Sequence, residues 1–94
     1  MRYVITCKDR PGNLPVRMEN RPAHVEFLKA HLDNMLCAGP TLNSEGNPSG
    51  SVLIMDFDSL ADAETWAAQD PYAIAGLFES VSITAWKKVF PEAE

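Results

Sequence analysis

The sequence has few of the features that mark several common functional classes. Its 94 residues hold eight Lys and Arg against 13 Asp and Glu, a formal net charge of −5, and the basic residues form no cluster. Nucleic-acid binding depends on a concentrated basic surface, so we expect no nucleic-acid partner. No apolar run approaches the roughly 20 residues that span a bilayer, and the first residues show no secretory signal pattern. We therefore expect a cytoplasmic protein with no membrane partner.

Cysteine and histidine are also scarce. Cys7 and Cys37 match neither a CxxC redox motif nor a zinc site, because no further Cys or His stands at ligand spacing. Their apolar surroundings indicate buried, reduced thiols, with a disulfide between neighbouring strands as the alternative. The two histidines, His24 and His31, lie two helical turns apart and cannot share an ion, and segment 46–50 lacks the lysine of a phosphate loop. We expect no metal and no cofactor.

The residues that are present predict alternating strands and helices. Four segments rich in β-branched and aromatic residues predict strands at 2–8, 35–42, 51–57 and 80–89. In the first strand, alternation puts one set of side chains on a common face, namely Tyr3, Ile5 and Cys7. The third strand is apolar on both of its alternating faces, so both should be covered.

Two main helices are predicted between these strands. After a short helical turn at 16–20, the first runs from Arg21 to Asn34, with Pro22 in its first turn, where a missing N–H costs nothing. The second begins at an N-cap, Ser59, and Asp70 caps a further helical turn. The predicted buried stripes are Val25, Leu28 and Leu32 in the first helix and Leu60, Ala63 and Ala67 in the second.

The order β-α-β-β-α-β predicts a ferredoxin-like α+β fold with a four-stranded antiparallel sheet, in a single domain over residues 1–94. Two helices cover only one face of such a sheet, whereas these strands carry apolar residues on both faces. A second copy of the chain is the simplest cover for the other face. We therefore expect a homodimer whose sheets face each other.

His24 is the strongest candidate for a proton acceptor. It lies in the first turn of the predicted helix and borders the apolar stripe, and there the helix dipole disfavours a protonated imidazole. A neutral imidazole is a competent base near neutral pH. The alternative is a half-buried histidine whose ring is satisfied by a backbone carbonyl. His31 has no such argument and is expected to face solvent.

Four further residues are candidates for the same site. Asp70 has a structural explanation as an N-cap, but capping uses one carboxylate oxygen and leaves the other to orient a histidine. Arg21 and Tyr72 flank these positions and could bind a polar or anionic substrate, although surface exposure is the commoner outcome. Ser51 could donate a hydrogen bond into a site, although a serine at a strand start is usually unremarkable.

Five short motifs together resemble the YciI-like family: "RPAH" in the first helix, "AGP" in the second strand, "GS" opening the third, "DPY" after the second helix, and the closing "WKKVF". The resemblance extends from the initial "RYVI" to Phe90 and implies the ferredoxin-like, dimeric α/β-barrel fold. It also implies a catalytic pair made by the histidine of "RPAH" and the aspartate of "DPY", here His24 and Asp70. The serine of "GS", Ser51, would be a third member of the pocket.

The resemblance favours an enzyme, since the best-characterised activity among such relatives is dehydrochlorination of a chlorinated hydroxyhydroquinone. Our leading hypothesis is a small cofactor-independent lyase or isomerase that acts on a small aromatic or enolisable substrate. His24 would move the proton, Asp70 would fix its tautomer, and Arg21, Ser51 and Tyr72 would position substrate oxygens. The alternatives are a non-catalytic dimeric binding module and a cofactorless monooxygenase. The loop 42–50 is short and shows no obvious ligand residues, so if relatives use this loop to line the pocket, we expect a different substrate size or specificity here.

Overall fold

A computed structural model describes residues 1–92 and shows four strands and three α-helices. The sheet is antiparallel throughout, in the order β2-β3-β1-β4, which confirms the ferredoxin-like arrangement. In chain order the elements are β1 Arg2–Asp9, α1 Leu14–Lys29, a 3₁₀ turn Leu32–Asn34, β2 Met35–Leu42, β3 Pro48–Asp56, α2 Leu60–Ala68, α3 Pro71–Ile74 and β4 Phe78–Trp86. No helix within residues 1–92 is both long and apolar enough to span a membrane.

The core lies between the helices and one face of the sheet. In the central strand β1, Ile5 pairs with Leu53 of β3 on one side and with Ile83 of β4 on the other. Alternation puts every second residue of β1 on this face, as predicted for Tyr3, Ile5 and Cys7, and all three are buried. The same alternation continues to Asp9, so a carboxylate is buried at the end of the strand.

The first helix differs from the prediction, because it begins at Leu14 and not at Arg21. Pro15 is the proline of its first turn, and Pro22 lies inside the helix. An internal proline costs about 3 kcal/mol, because it removes a hydrogen bond and its ring meets the carbonyl four residues before it. Arg17 and His24, on either side of Pro22, are buried, and their contacts hold the helix against the rest of the protein.

His24 therefore lies in the third turn of α1, and the prediction that the helix dipole disfavours its protonation is wrong. The dipole acts within the first and last turns only. The residues that the sequence assigned to a separate helical turn at 16–20 belong to α1 itself. Any special chemistry of His24 has to come from its side-chain partners.

Several predicted side-chain environments are also wrong. Leu32, predicted to be buried, is exposed because α1 has already ended and a 3₁₀ turn follows. In α2, Leu60 is also exposed, and the buried residues of that helix are Ala63 and Trp66. Cys37 is exposed, because it pairs with Ile54 on the face away from the helices, in the edge strand β2.

His31 does not face solvent either. It is half-buried, with its ring 5.8 Å from that of Phe27 and 5.5 Å from that of Trp66, between centroids. The aromatic cluster that these three rings form is part of the packing of α1 on α2. His31 is therefore a residue of the helix packing.

The sheet face opposite the helices is the less buried of the two. Val4, Val52 and Ile54 are only half-buried there, and Thr6 between them is exposed, whereas Leu53 on the helix side is buried. This open face is defined by Val4, Thr6, Val52, Ile54 and Trp86.

Candidate functional site

A cleft of about 480 Å³ lies between α1 and the β2–β3 hairpin, with Tyr72 of α3 also lining it. From α1 it receives Arg17, Arg21 and His24, which follow one another at spacings of four and three residues. Residues at these spacings share one face of a helix, so a single helical face supplies the basic side chains. Apolar walls come from Leu14, Val25, Leu28, Pro40 and Leu53.

His24 and Asp70 meet inside this part of the molecule. The His24 Nδ1 atom lies 2.9 Å from Asp70 Oδ1, and only 10% of the histidine side chain and 5% of the aspartate side chain are exposed. A carboxylate accepts hydrogen bonds only, so a neutral imidazole that bonds to the Asp70 carboxylate through Nδ1 carries its proton there and donates it. The lone pair then lies on Nε2, which has no hydrogen-bond partner among residues 1–92.

Asp70 also begins α3, as the sequence predicts. The Tyr72 backbone N–H donates to Asp70 Oδ1 over 2.9 Å, and Pro71 takes the first position of the helix. Capping and histidine contact therefore use the same oxygen, whereas the sequence argument assigned them to different ones. Two donors on one oxygen fix the carboxylate firmly, so the cap also orients the imidazole.

Arg17 is a site residue that the sequence did not single out. Its guanidinium makes a two-pronged ion pair with Asp9, with Nε 2.7 Å from Oδ2 and Nη2 3.0 Å from Oδ1. Nη2 also donates to Ser51 Oγ over 2.9 Å. Burial alone would lower the pKa of Arg17, but the hydrogen bond and charge of Asp9 outweigh it and raise that pKa, so the group stays a cation.

Tyr72 connects the two polar pairs. Its ring stacks on the His24 imidazole, with centroids 3.9 Å apart and planes 13° from parallel, and Arg17 Cζ lies 4.7 Å from the Tyr72 centroid. Burial raises the pKa of Tyr72, and the charges of Arg17 and Arg21 only partly offset it. The phenol is therefore protonated and can donate a hydrogen bond. Tyr72 is almost fully buried, not a surface residue.

Ser51 is held in place by the glycine before it. A Cβ at Gly50 would collide with the Cys7 carbonyl oxygen and would lie 2.7 Å from Thr41 Oγ1. Glycine therefore allows β3 to approach its two neighbouring strands closely at this point. The next residue, Ser51, is buried and directed to the helix side, where Arg17 reaches it. The "GS" motif thus combines close strand packing with a polar group in the cleft.

The structure brings together four of the five residues predicted for the site: His24, Asp70, Ser51 and Tyr72 form one connected buried group with Arg17 and Asp9. The fifth, Arg21, lines the cleft but is exposed. The hairpin that seemed to lack ligand residues also contributes, since Asn47 and Pro48 line the cleft.

If the helix had been predicted to begin at Pro15, Arg17 would have been a candidate, because Arg17 lies seven residues before His24 on the same helical face. Its partner Asp9 was hidden because a strand-end aspartate in a sequence gives no sign of burial. Within residues 1–92, no group of three or more His, Cys, Asp or Glu side chains is arranged to hold a metal ion.

Comparison with known proteins adds a family and its relatives. The family model of the YCII-related domain matches residues 1–87. Protein YciI of Escherichia coli O6:H1 is 40% identical over 98 residues, which cover 96% of this chain and 100% of that protein. An uncharacterized protein of Haemophilus influenzae is 41% identical over the same length and coverage.

Among solved structures, the fold is similar to that of 5-chloro-2-hydroxyhydroquinone dehydrochlorinase (TftG) from Burkholderia phenoliruptrix AC1100, in complex with 2,5-dihydroxybenzoquinone. The TM-score is 0.89 at 35% identity, over 93% of this chain and 94% of that chain. An antibiotic biosynthesis monooxygenase gives a TM-score of 0.56 at 11% identity, over 94% and 97% of the two chains, and shows the shared fold alone.

Proposed function

Because this chain belongs to the YCII-related domain family, we propose that it is a small cofactor-independent enzyme of lyase or isomerase type, with His24 and Asp70 as its proton-transfer pair. The observation that carries this proposal is the buried hydrogen bond from His24 Nδ1 to Asp70 Oδ1, which leaves Nε2 without a partner beside the cleft. A carboxylate on one imidazole nitrogen makes the other a better base and stabilises the imidazolium that forms.

The proposed reaction removes a proton from a substrate O–H or C–H and transfers it to His24 Nε2. The electron pair left on the substrate then forms a double bond and expels a leaving group as an anion, or it is reprotonated elsewhere to give an isomer. The imidazolium returns the proton to product or solvent. For a chlorinated substrate the net loss is HCl, which needs no cofactor and no redox partner.

The dimensions and lining of the cleft support a substrate with one ring. A volume of about 480 Å³ lies at the lower end of the range for small-molecule sites. Arg17, Arg21, Ser51 and Tyr72 surround it with hydrogen-bond donors, which suit the oxygens of a hydroxylated ring or an enolisable acid. The dehydrochlorinase similar in structure, with its dihydroxybenzoquinone ligand, supports the same substrate type.

The test is a chloride-release assay with 5-chloro-2-hydroxyhydroquinone as the probe substrate. We expect His24→Ala and Asp70→Asn to lower kcat by about 10²–10⁴-fold, the usual contribution of a positioned acid–base group. Asn is a good N-cap, so Asp70→Asn keeps the start of α3 while removing the charge. His31→Gln, which alters the other histidine outside the cleft, is the matched control and should keep wild-type turnover.

A non-catalytic dimeric binding module is the second candidate. The buried network of Asp9, Arg17 and Ser51 supports a binding module as well as an enzyme. These residues fix the positions of hydrogen-bond donors but supply no base. Such a module would bind 2,5-dihydroxybenzoquinone with His24 Nε2 as a hydrogen-bond acceptor for a ligand hydroxyl, not as the donor that the sequence suggests. It would release no chloride from any chlorinated hydroxyhydroquinone, which distinguishes it from the enzyme in the same assay.

We also propose that the protein works in the cytoplasm as a homodimer. The open face, with Val4, Val52 and Ile54 half-buried, supports a second copy as the partner that covers it. Both cysteines are free, and an exposed free thiol such as Cys37 suits a reducing compartment.

A further inference from the structure

We propose that the cleft selects its ligand as an anion, a planar molecule with at least two oxygen acceptors of which one is ionised, and that Arg21 makes this selection. The inference rests on the proposed function, since it names the substrate class of the same site. Three observations lead to it: the balance of donors and acceptors, the placement of the carboxylates, and the absence of an ion-pair partner for Arg21 within residues 1–92.

Hydrogen-bond donors outnumber acceptors among the polar side chains that reach the cleft from α1, β3 and α3. Ser51 Oγ accepts from Arg17 Nη2, so its own hydroxyl hydrogen remains to be donated. Tyr72 is a protonated phenol, because burial raises its pKa. Arg17 and Arg21 are donor-only groups. Against these four donors stand His24 Nε2, which is an acceptor, and Asn47 of the hairpin, whose amide both donates and accepts. The complementary ligand therefore carries several oxygen acceptors and a removable proton.

The carboxylates of the site are not among the residues that line the cleft. Asp9 is paired with Arg17, and Asp70 is paired with His24 and with the Tyr72 N–H. Neither acid lines the cleft, so a ligand there meets Nε2 of His24 on one side and the cationic guanidinium of Arg17, not the Asp9 carboxylate, on the other. At short range this orientation attracts an anion more than it repels one, because Coulomb energy falls with distance.

Arg21 supplies a positive charge that is not paired with a carboxylate of residues 1–92. It lines the cleft, it is exposed, and it has no ion pair or hydrogen bond within residues 1–92. Its charge reaches the site, since it lowers the pKa of Tyr72 against the effect of burial. The whole chain carries a net charge of −5, which would otherwise disfavour an anion. Arg21 therefore decides whether the ionised or the neutral form of a ligand is preferred.

The test compares two probes of similar shape by calorimetric titration at neutral pH. 2,5-Dihydroxybenzoquinone ionises at its hydroxyl groups, and 2,5-dimethoxybenzoquinone cannot ionise. We expect Arg21→Gln to weaken the binding of the dihydroxy probe by about fivefold to tenfold at low salt, as for a partly exposed charge pair. Binding of the dimethoxy probe should change by less than about twofold, because no charge interaction is removed.

Lys29→Gln is the matched control, because it removes one positive charge from an exposed position of the same helix outside the cleft. The Lys29→Gln variant should bind both probes with wild-type affinity. In a separate measurement, added salt should weaken the binding of the dihydroxy probe to the wild type more than its binding to Arg21→Gln. Equal affinity of wild type and Arg21→Gln for the dihydroxy probe would overturn the inference, and so would an equal loss for both probes.

The proposed function fails separately from this inference. If the dihydroxy probe binds in an Arg21-dependent way but no chlorinated hydroxyhydroquinone releases chloride, the anion site stands and the lyase reaction is wrong. If chloride is released and His24→Ala abolishes it, while Arg21→Gln binds both probes as the wild type does, the reaction stands and the selection by Arg21 is wrong.

Discussion

At the scale of single residues, the site depends on pairs that each hold the other in one position. Asp70 Oδ1 fixes the imidazole of His24 through Nδ1, and the Tyr72 ring stacks on it at 3.9 Å. Asp9 fixes the guanidinium of Arg17 in the same way, through two hydrogen bonds. Breaking one partner of a buried pair is costly, about 3–5 kcal/mol, because it leaves a charge unpaired away from water. Rigid placement of this kind is what proton transfer needs.

Cys7 gives a residue-scale prediction on stability at alkaline pH. The pKa of the Cys7 thiol rises from 9.0 to about 12, mainly because the thiol is buried and secondly because of the negative charge of Asp70. Between these values the unfolded chain releases a thiol proton that the folded protein keeps, so the free energy of unfolding falls as pH rises. The slope from this group is at most about 1.4 kcal/mol per pH unit, and it is absent below the unfolded pKa.

We expect Cys7→Ala to reduce this alkaline slope in urea unfolding measured across the alkaline range. Cys37→Ala, which changes the exposed thiol, should keep the wild-type slope. Tyr72, whose pKa is also raised, leaves part of the slope in both variants. A Cys7→Ala slope that equals the wild-type slope would contradict the burial of this thiol as a neutral group.

At the scale of elements, close approach of the strands at Gly50 positions the serine of the site. A side chain at Gly50 would meet backbone of β1 and the Thr41 side chain of β2. We expect Gly50→Ala to lower the free energy of unfolding by about 1–3 kcal/mol, the usual cost of overpacking. Chemical denaturation measures this change directly.

Gly39→Ala is the matched control for this substitution. Gly39 lies in the neighbouring strand β2, and a Cβ there would meet no atom within 4 Å. We expect its unfolding free energy to stay within about 0.5 kcal/mol of the wild type. If both substitutions cost the same, the close strand contact at Gly50 does not explain the "GS" motif.

The strands and their order could be predicted from the sequence, but the first helix could not be placed. Alternation with β-branched residues marks a strand locally, so Tyr3, Ile5 and Cys7 were assigned to the correct face. Pro22 is a strong local sign of a helix start, yet tertiary contacts on both sides of it override that preference. Because the helix was predicted to begin at Arg21, Arg17 was not recognised as a residue on the same helical face as His24.

The contacts of the site could be predicted only in part, because they join distant positions in the chain. The hydrogen bond between His24 and Asp70 spans 46 residues, and that between Arg17 and Ser51 spans 34. No local pattern encodes such a contact. The chemistry of His24 and Asp70 makes each a candidate and the resemblance to a family pairs them, whereas Asp9 and Arg17 belong to none of the five motifs and are missed.

At the scale of the whole molecule, the open face leads to a prediction of the oligomeric state. It presents Val4, Val52, Ile54 and Trp86 with little cover from the described residues. We expect a dimeric mass by light scattering at micromolar concentration, and a monomeric mass for Ile54→Lys, because a buried lysine without a partner opposes association.

Thr65→Lys is the control, since it adds the same side chain at an exposed position of α2. It should remain dimeric. A monomeric wild type would contradict the homodimer, and so would an Ile54→Lys variant that stays dimeric while folded by circular dichroism.

The central claim is that His24 and Asp70 act as one proton-transfer unit in the cleft. The most direct measurement is kcat for chloride release from 5-chloro-2-hydroxyhydroquinone by Asp70→Asn, His24→Ala and the double variant. Residues that act as a unit are not additive, so we predict a loss of about 10²–10⁴-fold in each single variant and no further loss in the double variant. Wild-type turnover in both single variants would contradict the claim.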